Sequence, residues 1–269
     1  MGRAKGSEAN RTVASTSTRT TKDVGRPQPA SRVQLGLPGV RRRPGNGTGW
    51  GGRREGAGRK PTGAKAGVQH TLRATQSRHR PVHITLRIVG GLPRLRRRKG
   101  YQLARRALGL ANRFAGVRIC HLSIQGNHLH LIVEADDRAA LTRAMRSFNV
   151  TFARNLNLSL GRAGRVLADR YHVVVLETPA QTRAAIAYVL GNWRRHGEDR
   201  GQPRRAIDAF SSGVYFAGWD VPAPDLLWWK DLPFPDDGPL PIRFPQSWLL
   251  KTGWQRGGPL SPWQRPGPA

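Results

Sequence analysis

His128 and His130 flank a single leucine in the run Asn-His-Leu-His-Leu-Ile-Val-Glu, which ends at Glu134. The aliphatic content and near-alternation of this run are typical of a β-strand, on which side chains i and i+2 project from the same face. The two imidazoles would therefore lie side by side, and neutral imidazole is a common ligand of divalent metals. The alternative is a strand with two partly buried histidines that only form hydrogen bonds.

A predicted helix after Thr178 carries the second group of candidate residues. Thr178 and Pro179 are typical of a capping residue and a first helical position, and Gly197 predicts the end of the helix. The apolar stripe consists of Ile186, Val189, Leu190 and Trp193. At about 100° per residue, Tyr188 and Asn192 project away from that stripe, one turn apart. The alternative is a tyrosine that only packs.

Two imidazoles, an amide oxygen and a phenol on one open face would form a site for metal-assisted phosphoryl transfer. A divalent ion held by His128, His130 and one oxygen ligand would polarise a scissile phosphate. Tyr188 would attack the phosphorus and form a covalent phosphotyrosine. Mg²⁺ and Mn²⁺ are the metals that suit oxygen ligands and substrate phosphate. Tyr171 is the rival nucleophile, but it lacks a metal-ligand partner at helical spacing, so we favour Tyr188.

The charge of the chain indicates a polyanionic partner. It has 269 residues, with 46 Lys and Arg against 16 Asp and Glu, for a formal charge of +30, and nucleic acid is the first candidate. Candidates for phosphate contacts are Arg87, Arg170, Arg194 and Arg195. The lone cysteine, Cys120, excludes an internal disulfide framework and is interpreted as a small core residue. We expect a cytoplasmic, nucleoid-associated protein of a bacterial-type cell, and no segment approaches the length of a membrane span.

Residues 1–80 are predicted to form a disordered basic arm. They contain 18 Lys and Arg, 3 Asp and Glu, and many Gly, Pro, Ser and Thr, so they cannot bury enough apolar surface to fold alone. Arg59 and Lys60 lie in the densest basic part and are candidate DNA contacts. A Gly-Arg-Lys-Pro string could lie in a DNA minor groove or act as a non-specific phosphate tether, and we favour the tether.

The pattern from residue 81 onward predicts the elements that position the candidate residues. We expect a strand that alternates from Val82 to Ile88, a helix over 99–115, a strand over 117–124, the histidine strand, a helix capped by Asp136 or Asp137, and a strand over 171–177. This order is that of an α+β fold, a ferredoxin-like βαββαβ antiparallel sheet, with the Tyr188 helix added after it. Residues 206–269 form a Trp- and Pro-rich extension. Its tryptophans either pack on the domain, which we favour, or stack on unpaired bases.

At these residues the sequence resembles the single-tyrosine HUH transposases, in the branch related to REP-associated tyrosine transposases. The resemblance covers residues from about 80 to 197, and we expect the catalytic domain to span 81–205. It rests on the strand Pro81–Arg87, the strand Gly126–Glu134 and the helix segment Tyr188–Asn192. It implies that His128, His130 and Asn192 bind the metal and that Tyr188 is the nucleophile. The implied activity is cleavage and rejoining of single-stranded or hairpin DNA through a 5′-phosphotyrosine.

Two other functions stay open at this point. One is a non-catalytic nucleic-acid-binding protein on the same fold. The other is a metallohydrolase that uses a bound hydroxide, which would need further acidic or cysteine ligands, and only Glu134 is at hand. For the oligomeric state we favour a monomer whose Tyr188 helix packs on its own sheet. A dimer that exchanges this helix is the alternative.

Overall fold

The computed structural model describes residues 77–202, 206–221 and 234–267. Within them the elements follow the order β1 (Val82–Arg87), α1 (Arg98–Ala111), β2 (Val117–Ile124), β3 (His128–Ala135), α2 (Arg138–Ser159), β4 (His172–Val175), α3 (Pro179–Arg195) and α4 (Trp248–Lys251). Short 3₁₀ turns span Ser212–Tyr215, Pro235–Asp237 and Gly253–Gly257. The predicted disordered arm, with Arg59 and Lys60, lies outside the described residues apart from its last four.

The four strands form one antiparallel sheet in the order β2-β3-β1-β4. β3 therefore lies between β1 and β2, which is the split βαβ arrangement of ferredoxin-like folds. This confirms the predicted α+β fold class and the predicted order of strands and helices. β4 is an edge strand, and β1 and β3 are the central pair that carries the candidate site.

Helices α1 and α2 cover one face of the sheet and form the main hydrophobic core. Side chains of alternate residues on β3 (Leu129, Leu131 and Val133) pack there against Phe148 and Phe152 of α2, and all five are at most 1% exposed. α2 begins where the sequence predicts, because the Asp137 side chain accepts a hydrogen bond from the backbone N–H of Ala140.

Helix α3 covers the opposite face and forms a second apolar cluster. Its residues Ile186, Val189 and Leu190 pack with Cys120 and Ile132 of the sheet, which confirms Cys120 as a core residue. The helix begins as predicted, since the Thr178 side chain accepts from the N–H of Gln181 and Pro179 occupies the first position. It ends before Gly197, which has a φ of 65°.

Two predicted boundaries were wrong. α1 ends at Ala111, not at residue 115, and the backbone N–H of Asn112 bonds to the Leu108 carbonyl at the cap. Phe114 lies beyond the helix and is 37% exposed. β4 spans only His172–Val175, so Tyr171 and Leu176 lie just outside the strand.

The described part of the C-terminal extension packs on α3 and on the sheet. Arg183 donates to the carbonyls of Gly258 and Pro259, at 3.2 and 2.7 Å, and Arg194 donates to the carbonyl of Pro262 at 2.9 Å. Trp219 and Trp254 are buried in the α3 cluster, as the packing interpretation predicts, whereas Trp248 and Trp263 are 49% and 36% exposed. Trp228 and Trp229 lie outside the described residues. No helix in the described ranges is long and apolar enough to cross a membrane.

Candidate active site

The two central strands bring the predicted histidines together with polar residues of β1. His128 and His130 point away from the α1–α2 core, toward the face that α3 covers. The β1–β3 register places Thr85 opposite His130 and Arg87 opposite His128. The same-face prediction from the His-Leu-His spacing is therefore confirmed by the structure.

Hydrogen bonds from neighbouring side chains hold one nitrogen of each imidazole. His130 Nδ1 lies 3.0 Å from His83 Nε2 and 3.2 Å from Thr85 Oγ1. His128 Nδ1 lies 2.8 Å from the side-chain oxygen of Asn127. His130 Nε2 is buried and has no hydrogen-bond partner among the described residues. Metal-ligating histidines typically show this pattern, in which one ring nitrogen is oriented by the protein and the other is left for the metal.

Burial keeps these imidazoles neutral at neutral pH. It lowers the pKa of His83 and His128 to about 4, with smaller contributions from His172 and from His196 and Arg87, respectively. It lowers the pKa of His130 to about 2, helped by the neighbouring His83 and His128. Since only the neutral form of imidazole binds a metal, the environment favours the ligand form.

Helix α3 places Tyr188 directly against this group. The centroid of the half-buried Tyr188 ring lies 5.2 Å from that of His130 and 5.7 Å from that of His83. The guanidinium carbon of Arg195 lies 6.0 Å from the Tyr188 ring centroid. All four side chains line one cavity of about 530 Å³ between α3 and the sheet. A phenol, imidazoles and a cation thus converge where a phosphate could be bound.

Sequence reasoning missed two histidines of this cavity. The exposed ring of His196 lies 5.0 Å from that of His128, and His172 lines the cavity from β4, opposite Thr85. His196 follows Tyr188 by about two helical turns, so its position was accessible from the helical spacing. His172 would have followed from applying strand alternation to β4.

The fit of a divalent metal rests on unmatched buried atoms. Asn192 is fully buried, and neither its Oδ1 nor its Nδ2 has a hydrogen-bond partner among the described residues. Asn192 Oδ1 and His130 Nε2 are acceptors of the kind that a bound cation would satisfy, whereas Asn192 Nδ2 is a donor. Asn192 is not among the residues that line the Tyr188 cavity. No group of three or more His, Cys, Asp or Glu side chains in the described ranges could hold a metal ion. A metal held by His128 and His130 would need a further oxygen ligand, from Asn192 or from a substrate. With such an oxygen, the residues present fit a divalent ion.

The candidate phosphate contacts lie in different environments. Arg87 and Arg195 are exposed and line the Tyr188 cavity. Arg170 lines a separate cavity with Arg138 and Arg146. Arg194 is buried, pairs with Asp199 at 3.1 Å and donates to the carbonyls of Pro262 and Ala206, so its guanidinium is committed to internal contacts.

Neither Tyr171 nor Glu134 lines the Tyr188 cavity. Tyr171 packs against the α1–α2 core and lines the cavity of Arg170. The Glu134 carboxylate is fully buried, pairs with Arg118 at 2.8 Å and accepts from the backbone N–H groups of Gln246 and Ser247. Of the two candidate nucleophiles, only Tyr188 lies beside the histidines.

No protein-family model matches this sequence, and no curated protein matches it either. Among solved structures, the chain is similar to a REP-associated tyrosine transposase bound to a REP hairpin. That similarity has a TM-score of 0.40 at 15% sequence identity and covers 48% of this chain and 74% of the other.

Proposed function

We propose that this protein is a single-tyrosine DNA transposase that nicks and rejoins single-stranded, hairpin-associated DNA. The observation that carries the proposal is the contact between the Tyr188 ring and the His83–His130 pair, beside a buried imidazole nitrogen that has no partner among the described residues. The proposed nucleophile and the proposed metal ligand therefore face the same cavity.

In the proposed reaction, the Tyr188 oxygen attacks the scissile phosphorus. A bond forms between this oxygen and phosphorus, and the bond from phosphorus to the 3′-oxygen of the preceding nucleotide breaks. The phenol gives up its proton and the departing 3′-oxygen takes one up, which leaves a 5′-phosphotyrosine and a free 3′-hydroxyl. A 3′-hydroxyl can later reverse these steps and reseal the strand without a separate energy source.

The chain's own groups bind and orient the reactants in this scheme. His128, His130 and Asn192 would hold Mg²⁺ or Mn²⁺, which when bound polarises the phosphate. His83 and Thr85 fix the orientation of His130 through its Nδ1. Arg195 places positive charge beside the phenol, where it favours binding of the phosphate. Arg87 supplies a second cation at the cavity.

We expect the basic residues outside this cavity to contribute sequence-independent phosphate contacts. Arg170, with its arginine neighbours, and the Arg59–Lys60 segment are the candidates. Such contacts strengthen binding to any nucleic acid and weaken as salt rises. We propose that the protein acts as a monomer, because α3 packs on the sheet and on the C-terminal residues of its own chain.

A covalent-adduct assay tests the function. The full chain is incubated with labelled hairpin oligonucleotides carrying single-stranded tails and Mn²⁺, and SDS-resistant bands are resolved on a gel. We expect an adduct that Tyr188→Phe abolishes and that the matched control Tyr171→Phe leaves in place. An adduct that survives Tyr188→Phe would overturn the choice of nucleophile. Tight DNA binding with no adduct on any oligonucleotide would favour a non-catalytic nucleic-acid-binding protein.

A further inference from the structure

The cavity that contains Tyr188 has two chemically different ends. Tyr188 lies between them on α3. Toward the C-terminal end of the helix the lining is cationic or imidazole: Arg87, His128, Arg195 and His196. Toward the N-terminal end it is apolar: Val174, Leu176, Ala184 and Ala185. We call the latter four residues the apolar end.

Strand alternation and two small helix residues create the apolar end. Val174 lies opposite His83 in the β1–β4 register, so it continues the histidine face onto the edge strand. Alanines at 184 and 185 leave the space above it open, where larger side chains would fill it. Leu176 and Ala185 are buried at 3% and 4% exposure, whereas Val174 is 43% exposed. The apolar end therefore has a closed floor and an open mouth.

Gln181 of α3 lines the cavity beside the apolar end, and His83 of β1 lies opposite Val174. The Gln181 side chain is held in place by the backbone. Its Oε1 accepts a hydrogen bond from the backbone N–H of Glu177 at 3.0 Å. That bond fixes the amide and leaves its Nε2 as a donor. Among the described residues, no carboxylate lines the cavity. A flat apolar group with a hydrogen-bonding edge, joined to an anion, matches this surface.

We propose that the apolar end binds the unstacked base of the nucleotide next to the scissile phosphate. This inference rests on the proposed function, because it assumes that the phosphate lies at Tyr188. With the phosphate at the cationic end, the attached nucleoside extends along the cavity toward Val174 and Ala184. Enzymes that act on unpaired nucleotides hold an extruded base by apolar contact and read its edge with a few hydrogen bonds. Gln181 is the residue that reads the edge.

A size-complementation experiment tests the base site. Ala184→Leu fills the apolar end, and Ala180→Leu is the matched control, because Ala180 is exposed on the same helix and does not line the cavity. On an intact oligonucleotide we expect Ala184→Leu to raise the KM for adduct formation by roughly 5- to 100-fold, the usual contribution of one stacked base. Ala180→Leu should leave the KM near that of the unaltered protein.

Oligonucleotides with one abasic position identify the nucleotide. If the abasic position is the nucleotide whose base occupies the apolar end, it should raise the KM of the unaltered protein as much as Ala184→Leu does. Combining the abasic position with Ala184→Leu should raise the KM no further. Abasic substitution on the other side should leave the Ala184→Leu defect in place. Equal defects of Ala184→Leu on intact oligonucleotides and on both abasic ones would overturn the proposal. So would an Ala184→Leu variant that behaves like Ala180→Leu.

A binding measurement separates this inference from the proposed function. In the Tyr188→Phe background, hairpin oligonucleotides carrying 2-aminopurine at successive unpaired positions report base unstacking by fluorescence, without cleavage. We expect one position to change its fluorescence on binding and to lose that change when Ala184→Leu is added. Signals that Ala184→Leu does not alter would overturn the base site even if the adduct forms. Absence of an adduct with the unaltered protein would instead overturn the proposed function.

Discussion

The two faces of strand β3 bury different kinds of side chain. Leu129, Leu131 and Val133 are fully buried in the α1–α2 core, where apolar groups meet only apolar groups. On the α3 face the same strand presents His130 and Glu134, which are buried polar groups. One strand thus contributes only apolar side chains to the core on one side, and on the other side polar side chains that alternate with the apolar Ile132.

The polar face itself contains two kinds of group. The Glu134 carboxylate is matched by Arg118 and by two backbone N–H groups. His130 Nε2 and the Asn192 amide have no partner among the described residues. An unmatched buried polar atom typically destabilises a fold by about 1–3 kcal/mol. The matched Glu134 carboxylate stabilises the fold, whereas the unmatched His130 and Asn192 atoms are the ones that we propose bind a ligand.

The largest expected effect comes from truncating one buried side chain on each face of β3 and comparing the two losses of stability. Leu131→Ala should lower the free energy of unfolding by about 3–5 kcal/mol, since it opens a cavity in a dry core. His130→Ala should lower it by less, about 1–2 kcal/mol, because removal of the unmatched Nε2 offsets part of the loss of the Nδ1 hydrogen bonds to His83 and Thr85. It should nevertheless abolish the adduct. Urea unfolding followed by circular dichroism measures both. Equal destabilisation by the two substitutions would contradict the division.

A comparison of two acidic partners of Arg118 sharpens the role of Glu134. Glu134→Gln should lower the free energy of unfolding by about 2–3 kcal/mol, because a buried, multiply bonded carboxylate is lost. Asp136→Asn is the control, because its carboxylate is exposed and 3.8 Å from Arg118. Exposed pairs contribute about 0–1 kcal/mol. Thermal or urea unfolding should separate the two variants, and similar losses would show that Glu134 is not the anchoring group.

His83→Phe tests whether His83 orients His130, and it leaves the proposed metal ligands in place. Loss of the His83–His130 hydrogen bond should weaken Mn²⁺ binding by roughly 10- to 100-fold, as for other residues that orient a ligating histidine. His172→Phe, in the same cavity but exposed, should change binding little. Isothermal titration with Mn²⁺ gives both affinities. An unchanged affinity in His83→Phe would mean that His83 does not position the metal ligand.

The smallest effect concerns a buried histidine outside the cavity. Burial lowers the pKa of His121 to about 4, so the unfolded chain binds its proton first as pH falls. Stability from this group is complete above the unfolded pKa of about 6.5 and declines as pH falls toward 4. Between pH 7 and 5, the unaltered protein should lose about 1–2 kcal/mol more than His121→Leu does. Urea unfolding at the two pH values measures both losses. Equal losses in the unaltered protein and in His121→Leu would contradict the role of His121.

Local patterns predicted the parts of the fold that local chemistry decides. The caps at Asp137 and Thr178 start their helices as expected, and the alternation at His128 and His130 predicted their common face. Asn192 shows the limit. Its place off the apolar stripe predicted a residue projecting away from packing, but it is fully buried. α3 is covered on more than one side, by the sheet and by the C-terminal residues, and a single stripe reports only one contact surface.

The cavity is also lined by residues that the sequence analysis did not predict. Strand alternation and helical spacing place His172 and His196 on the correct faces of β4 and α3, and the crossing of helix and sheet brings them to the same cavity. Likewise, the sequence alone did not separate Arg194 from Arg195. Arg194 donates hydrogen bonds to internal carbonyls, whereas Arg195 lines the cavity.

The anchoring of α3 by carbonyls near the C-terminus has a practical consequence for the gene product. Arg183 donates to the carbonyls of Gly258 and Pro259, and Arg194 donates to the carbonyl of Pro262. A premature stop codon just before Gly258 would spare every strand and still remove three attachments of the tyrosine helix. We expect such a shortened product to lose activity while its sheet still assembles.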